Sequence, residues 1–283
     1  MNQDKEESKL IELNPYRQKE AVALFFETAG FRAGKPDLEF LRRILSVFSR
    51  IPYENLSKII KYGQFLEDIQ RVRLPLEVME SYRSQQLGGT CFSLTFLLQS
   101  ILCITGYECY PVMADMRRGR NVHCALVVLM QGRHFLVDPG YLLNEPMLLC
   151  HEKRNVFRTP FTGLEVSFDN EQSVFRVSTF NRGGKKWRYS FSELPVPPDV
   201  FLSRWLDSFR WNSMNGLCLN RLDKDGMVYI HNHYMRQTSF HCKESMNIQS
   251  RYHAVIESVF GIEPNVLEEA LAALAVNRKR TMI

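Results

Sequence analysis

From Asn14 to about residue 108, apolar residues recur every three to four positions, the spacing of helices that bury one face. Asn14-Pro15 reads as an N-cap and a first helical residue. Ala21, Val22, Phe25, Phe26 and Ala29 follow, and Gly30 closes the helix. Pro36-Asp37 opens a second helix with Leu38, Leu41, Ile44, Leu45 and Phe48 on one face; it ends before Pro52. Arg50–Leu56 mixes polar and apolar residues and reads as a connector. Pro75 starts a third helix containing Leu76, Val78 and Met79. A fourth begins near Cys91, carries Leu94, Phe96, Leu97, Leu98, Ile101 and Leu102, and stops at Gly106. Residues 1–10 are polar and are expected to be loosely ordered.

The period then falls to two. Cys109–Ala114, Val122–Met130 and Arg133–Asp138 read as strands. Between them lie the basic turn Asp115–Asn121 and the turn Gln131-Gly132. Val174–Phe180 and Lys186–Phe191 flank Asn181-Arg182-Gly183-Gly184-Lys185 as a hairpin. Phe201–Phe209 reads as a short helix. Leu217–Leu222 and Met227–Tyr234, joined through Asp225-Gly226, form another hairpin. Ala254–Phe260 and Pro264–Ala275 are C-terminal helices. The order is an all-helical section, an antiparallel β section and a mixed α/β end, so the predicted class is α+β.

Composition narrows this little. The 283 residues are 45% hydrophobic and 24% charged, as in a soluble globular protein. No run approaches the roughly 18 apolar residues of a membrane helix. The N-terminus lacks a signal-peptide pattern, and seven cysteines is an odd number, so a cytoplasmic chain with reduced thiols is expected. A net charge of +5 in short clusters suits small anionic ligands better than nucleic acid.

Chemistry concentrates in Leu87-Gly88-Gly89-Thr90-Cys91-Phe92-Ser93. Two glycines allow a tight turn and close approach to a ligand. Cys91 at a helix start would feel unsatisfied N–H groups and the positive dipole end, which favour a thiolate. An ordinary buried cysteine fits the same pattern. If Gln131-Gly132 is a two-residue turn, Met130 faces Arg133 and Asp138 faces Ala125. His123, two residues from Ala125, is then a diagonal neighbour of Asp138 on the same face. A three-residue turn would put them on opposite faces. A cysteine at a helix start with a carboxylate-oriented histidine fits nucleophile–base–orienter logic.

The chain resembles the arylamine N-acetyltransferases, a cytosolic acetyl-CoA-dependent family with a Cys-His-Asp triad. The resemblance runs through Ile51-Pro52-Tyr53-Glu54-Asn55-Leu56, Gly88-Gly89-Thr90-Cys91, Val122-His123 and Val137-Asp138-Pro139-Gly140-Tyr141. It implies a helical bundle carrying the nucleophile (1–108), a β-barrel carrying His and Asp (109–212) and an α/β lid (213–283). It implies Cys91, His123 and Asp138 as the catalytic triad. It also implies an acetyl group passed from acetyl-CoA, through an acetyl-cysteine, to an arylamine, arylhydrazine or N-hydroxyarylamine. Gly140, Tyr141 and Phe92 would border the acyl and acceptor pockets.

Coenzyme A brings phosphates. Arg117, Arg118 and Arg120, around Gly119 in the turn before His123, are candidates to bind them; a solvated basic turn is the alternative. Arg182, Lys185, Lys186 and Arg188 read as a surface hairpin. His231 and His233 share a strand face, with His241 and Cys242 downstream, but match no standard zinc spacing, so no metal is expected. The three tryptophans read as packing residues. Leu87 stands where the family commonly has Arg, and Pro139, Tyr141 and Leu142 replace a small residue, Phe and Gly. Leu142 would narrow the coenzyme A cleft. A hydrolase or amide-forming enzyme with the same triad, and a non-catalytic binding protein, remain open alternatives.

Overall fold

The structure, a computed structural model, describes residues 11–159, 162–181, 183–223, 226–239 and 242–281. Residues 1–10, Arg182, Asp225 and His241, which carried expectations above, lie outside the described residues.

The N-terminal section is helical, as its periodicity predicts. Asn14 accepts a hydrogen bond from the Tyr16 N–H and caps a separate 3-10 turn, Pro15–Arg17. Helix α1 (Lys19–Ala29) then ends on Gly30, whose φ of 70° is the left-handed cap. Asp37 caps α2 (Leu38–Phe48) by accepting from the Phe40 N–H at 2.8 Å. Strand β1 (Tyr53–Glu54) lies in the segment read as a connector, and α3 (Leu56–Gln64) follows it where the pattern delimits no element. Buried Leu56 and Ile59 alternate with Ser57 and Lys58, which are also buried, and these polar residues break the apolar stripe. Helices α4 (Pro75–Gln85) and α5 (Cys91–Ile104) complete this section.

The β section is one antiparallel sheet of eight strands in the order β5-β4-β3-β2-β9-β8-β7-β6. They are β2 (Glu108–Met116), β3 (Gly119–Met130), β4 (Arg133–Val137), β5 (Met147–Leu148), β6 (Asn155–Arg158), β7 (Gly163–Asp169), β8 (Val174–Asn181) and β9 (Gly184–Phe191). Its end strands β5 and β6 approach one another, so the sheet is nearly closed. Strand β3 alternates: Cys124, Leu126 and Val128 pack toward the helices, while Ala125 and Val127 pack against Val112, Leu136, Val166, Val177 and Tyr189 inside the curved sheet.

Helix α6 (Pro198–Asp207) leads to a second antiparallel sheet formed by β10 (Cys218–Asp223), β11 (Gly226–His231), β12 (Tyr234–Thr238) and β13 (Lys243–Asn247). Its order is β1-β10-β11-β12-β13, so Tyr53–Glu54 forms an edge of a C-terminal sheet. The single strand expected over Met227–Tyr234 is instead two. The chain reverses through Asn232-His233, with Asn232 at φ 50°, and His231 pairs with Tyr234. His233 therefore sits in a turn and shares no strand face with His231. Helices α7 (Tyr252–Phe260) and α8 (Pro264–Thr281) end the chain, and α8 packs on α3.

The fold is mixed α/β: helices packed against a nearly closed antiparallel sheet and a smaller one. No helix among the described residues is long and apolar enough to cross a membrane.

Candidate active site

The loop before Cys91 is held by a buried polar network. Glu54 accepts from the Ser57 N–H (2.9 Å) and hydroxyl (2.6 Å) and lies 3.5 Å from the Arg73 guanidinium. Arg73 also donates to the Gly88 carbonyl (2.6 Å) and the Ser57 hydroxyl (2.5 Å), and the Glu54 N–H donates to the Gly89 carbonyl. The two glycines are needed for this packing. A Cβ on Gly88 would lie 1.9 Å from the Pro52 carbonyl oxygen, and one on Gly89 2.2 Å from the Ser93 hydroxyl. Thr90 then takes the extended N-cap conformation and Cys91 becomes the first residue of α5. Its N–H thus belongs to the set with no intrahelical acceptor.

The β3–β4 turn has two residues. Gln131 (φ 52°) and Gly132 (φ 69°) are both left-handed, the geometry of a tight hairpin. Met130 pairs with Arg133 and Leu126 with Val137. His123 and Asp138 accordingly share a face, and His123 Nε2 lies 2.8 Å from Asp138 Oδ2. Asp138 is fully buried, and its Oδ1 accepts from the Tyr141 N–H at 3.1 Å. Gly140 closes the group: a Cβ there would come within 2.8 Å of His123 Cε1, 3.1 Å of Cys91 Cβ and 3.3 Å of Asp138 Oδ1. Cys91, His123 and Asp138, from two separate regions of the chain, thus meet around Gly140.

Charge follows geometry. A hydrogen bond from the Cys124 thiol, opposed by burial and reinforced by the hydrogen bond and charge of His123 and the charge of Lys58, holds the Cys91 thiol well below its ordinary range. Burial works against the His123 imidazolium. The Asp138 carboxylate and the Cys91 sulfur outweigh it and push the pKa up to about 10. Near neutral pH the arrangement is therefore a thiolate–imidazolium pair.

This pair opens into a cavity of about 1470 Å³, larger than the few hundred to about 1000 Å³ of a typical small-ligand pocket. Among the described residues, eight Lys and Arg side chains line it and no Asp or Glu does. Gly140, Tyr141 and Phe92 are among its lining residues. Phe92 is also packed against Phe201, Trp205 and Trp211, with ring centroids 5.3, 6.2 and 5.9 Å away.

The model of the N-acetyltransferase family matches residues 37–267. The chain belongs to the N-acetyltransferase family. Arylamine N-acetyltransferase 1 of Bos taurus is 30% identical over 131 residues, 42% of each protein, so the chain spans well under half of that relative. The arylamine N-acetyltransferase of Mycobacterium abscessus superposes with a TM-score of 0.79 at 16% identity, over 92% of this chain and 97% of that one. The enzyme of Salmonella typhimurium gives 0.73 at 18% identity, over 89% and 98%. At these identities the structural likeness establishes the fold.

Two family departures acquire a physical account. Leu87 is buried and brings no charge, but Arg73 supplies a guanidinium to the same loop. Leu142 keeps a left-handed backbone (φ 53°) and is buried. It is not among the residues that line the cavity, so this side chain does not narrow it. Of the basic turn, Arg118 reaches the cavity; Arg117, Gly119 and Arg120 are not among its lining residues, and Arg120 pairs with Asp115 at 3.6 Å. The hairpin read as surface contributes Lys185, Lys186 and Arg188 to the cavity wall, and Trp211, read as packing, lines it too.

Sequence reasoning also missed Lys58, Arg236 and Cys124. Cys124 packs in the core as expected but also meets Cys91. Lys58 and Arg236 are brought to the cavity by α3 and β12, two elements that the periodicity did not delimit.

Proposed function

We propose that the protein transfers an acetyl group from acetyl-CoA to an arylamine, arylhydrazine or N-hydroxyarylamine in two half-reactions at one sulfur. What carries the reading is the Cys91 thiolate beside the His123–Asp138 pair, in a cavity walled by cations. The thiolate attacks the thioester carbonyl, and the C–S bond to coenzyme A breaks. Coenzyme A leaves with a proton from His123, and Cys91 keeps the acetyl group. The amine then attacks acetyl-Cys91 and His123 accepts its proton. The amide departs, and the thiolate returns paired with imidazolium. Asp138 holds the ring in one orientation throughout. The N–H of Cys91 is the oxyanion donor in this scheme.

Arg118, Arg188 and Arg236 are the side chains we assign to the coenzyme A phosphates. Fork-shaped guanidinium groups suit phosphate oxygens. The C-terminal sheet and helices act as a lid over a barrel and a helical bundle in this proposal. We place the enzyme in the cytoplasm, where a low-pKa thiol is kept reduced.

Intact mass spectrometry after brief exposure to acetyl-CoA tests the first half-reaction. The protein should gain one acetyl group, and Cys91→Ala should gain none. Adding p-anisidine should discharge the acetyl group and yield the anilide. Discharge at the same rate in buffer alone would replace transfer by hydrolysis. Absence of any adduct would overturn the reading in favour of a binding protein.

A further inference from the structure

The helix that starts with Cys91 holds a second thiol at its far end. Cys103 lies in the last turn of α5, about 18 Å along the helix axis from Cys91. Cys109 is the second residue of β2, and the two sulfurs are 3.7 Å apart. Cys103 is buried and Cys109 half-buried. Backbone bonds fix the turn between them. The Gly106 N–H donates to the Cys103 carbonyl (3.1 Å), and the Tyr107 N–H donates to the Leu102 carbonyl (2.9 Å). Gly106, at φ 92°, takes the left-handed conformation that this reversal requires. The Tyr107 hydroxyl donates to the Asp37 carbonyl at 2.7 Å and ties the turn to the start of α2.

The two thiols differ in character. A hydrogen bond from the Cys109 thiol holds the Cys103 thiol below its ordinary range against burial, and one from the Tyr16 hydroxyl adds to it. The Pro15–Arg17 turn that carries Tyr16 packs on α5. Donation to Cys103, burial and the charges of Cys103 and Glu108 together push the Cys109 thiol well up. One sulfur is therefore the better nucleophile, and the other keeps its proton until the first has reacted. That is the arrangement of an attacking and a resolving cysteine. A disulfide needs the sulfurs to close from 3.7 Å to about 2.0 Å, which side-chain rotation supplies while the turn stays fixed. Neither thiol lines the cavity at Cys91.

We infer that Cys103 and Cys109 are an oxidisable pair, which a hydroperoxide converts to a reversible disulfide that staples the end of α5 to β2. The Cys103 thiolate attacks the peroxide and the O–O bond breaks. Cys103 keeps the OH as a sulfenic acid, and the leaving oxygen takes a proton from solvent as an alcohol or water. The Cys109 sulfur then attacks Cys103, the S–O bond breaks, and water leaves with the Cys109 proton. The two sulfurs have lost two electrons and the peroxide has gained them. Two molecules of a small thiol such as glutathione reduce the bond by exchange and become a disulfide themselves. The staple joins the helix that presents Cys91 to the strand beside His123, since Ala114 of β2 pairs with His123. None of this depends on the acyl-transfer reading.

The test exposes the folded wild-type protein to hydrogen peroxide, blocks free thiols with iodoacetamide and digests without reduction. Chymotrypsin cuts after Phe96 and Tyr107 and trypsin after Arg117, so a Cys103–Cys109 bond joins two short peptides that hold no other cysteine. That linked pair should form at least about tenfold faster than Cys150, also half-buried, loses its thiol, and it should vanish on reduction with dithiothreitol. The staple is read in Cys91→Ala, so that oxidation of Cys91 does not enter. Its urea midpoint should rise by about 0.3 M or more on oxidation and return on reduction. Adding Cys109→Ser should abolish that response. Oxidation of Cys103 and Cys109 independently of each other, pairing of either with another cysteine, or linked peptides formed only in urea would overturn the inference on wild type alone, whether or not the variants fold. A linked pair with an unchanged or lower midpoint would overturn the staple.

Discussion

The Asp138 carboxylate has its two oxygens committed to different partners. Oδ2 meets His123 Nε2, and Oδ1 accepts the Tyr141 N–H that shapes the next turn. Asp138→Asn should keep the second contact and lose the negative charge. Burial then acts on His123 against weaker opposition, so its pKa falls from about 10 toward neutrality. Loss of the imidazolium removes a cation worth roughly 4 kcal/mol to a thiolate about 4 Å away, or about three pKa units. Iodoacetamide should alkylate wild-type Cys91 at a pH well below the one an ordinary thiol needs, because the thiolate is favoured there. In Asp138→Asn the midpoint of rate against pH should rise by about two to three units. An unchanged midpoint would assign the low thiol pKa to Cys124 and the helix terminus instead. That His123 and Asp138 share a face was legible in the sequence, and for a specific reason. The parity of the Gln131-Gly132 turn decides which side chains share a face, and a two-residue turn is the one its glycine favours. Cys124 was not legible in that role, since alternation assigns it to the opposite face of β3 and only the docking of α5 brings Cys91 against it.

At the level of elements, periodicity found the helices with continuous apolar stripes and missed the one without. In α3, polar Ser57 and Lys58 are buried beside Leu56 and Ile59, because a hydrogen-bond network and a cavity take the place of an apolar neighbour. No count of hydrophobic positions detects such a helix. The same limit applied to β12, since a left-handed Asn232 can turn the chain but the run around it reads as one strand. What fixes α3 to the C-terminal sheet is Asn55. Its Nδ2 donates to the Ser213 and Gly216 carbonyls at 2.9 and 2.8 Å, and its Oδ1 accepts from the Cys218 N–H at 2.7 Å. Asn55→Ala leaves these backbone groups unsatisfied. A cost of about 2–4 kcal/mol follows from about 1 kcal/mol per net hydrogen bond plus desolvation of the orphaned groups. Urea unfolding should show a lower midpoint with an unchanged m-value. A loss of stability below about 0.5 kcal/mol would mean that the α3–α8 packing alone holds the helix.

The whole molecule sorts its positive charge by depth. A net charge of +5 is unremarkable for 283 residues, yet the cavity among the described residues has eight basic side chains in its lining and no acid. Such a cleft concentrates field lines and attracts anions before contact. Several of these groups are exposed, including Arg118, Lys186 and Lys243, whereas Lys58 is buried. Salt reaches the first kind and hardly the second, so ionic strength can separate them. Between about 0.01 M and about 0.15 M salt the screening length falls from about 30 Å to about 8 Å. Over that range the KM for acetyl-CoA, whose phosphates meet exposed Arg118 and half-buried Arg188 and Arg236 in our assignment, should rise at least about threefold. The KM for an uncharged arylamine should move by less than about 1.5-fold, since nothing in its recognition is long-range. In the proposed scheme the two substrates react in separate half-reactions, so initial-rate data yield each constant independently. If both constants rose together, salt would be acting on the fold or on the Cys91–His123 pair, and the cationic wall would lose its assignment to coenzyme A.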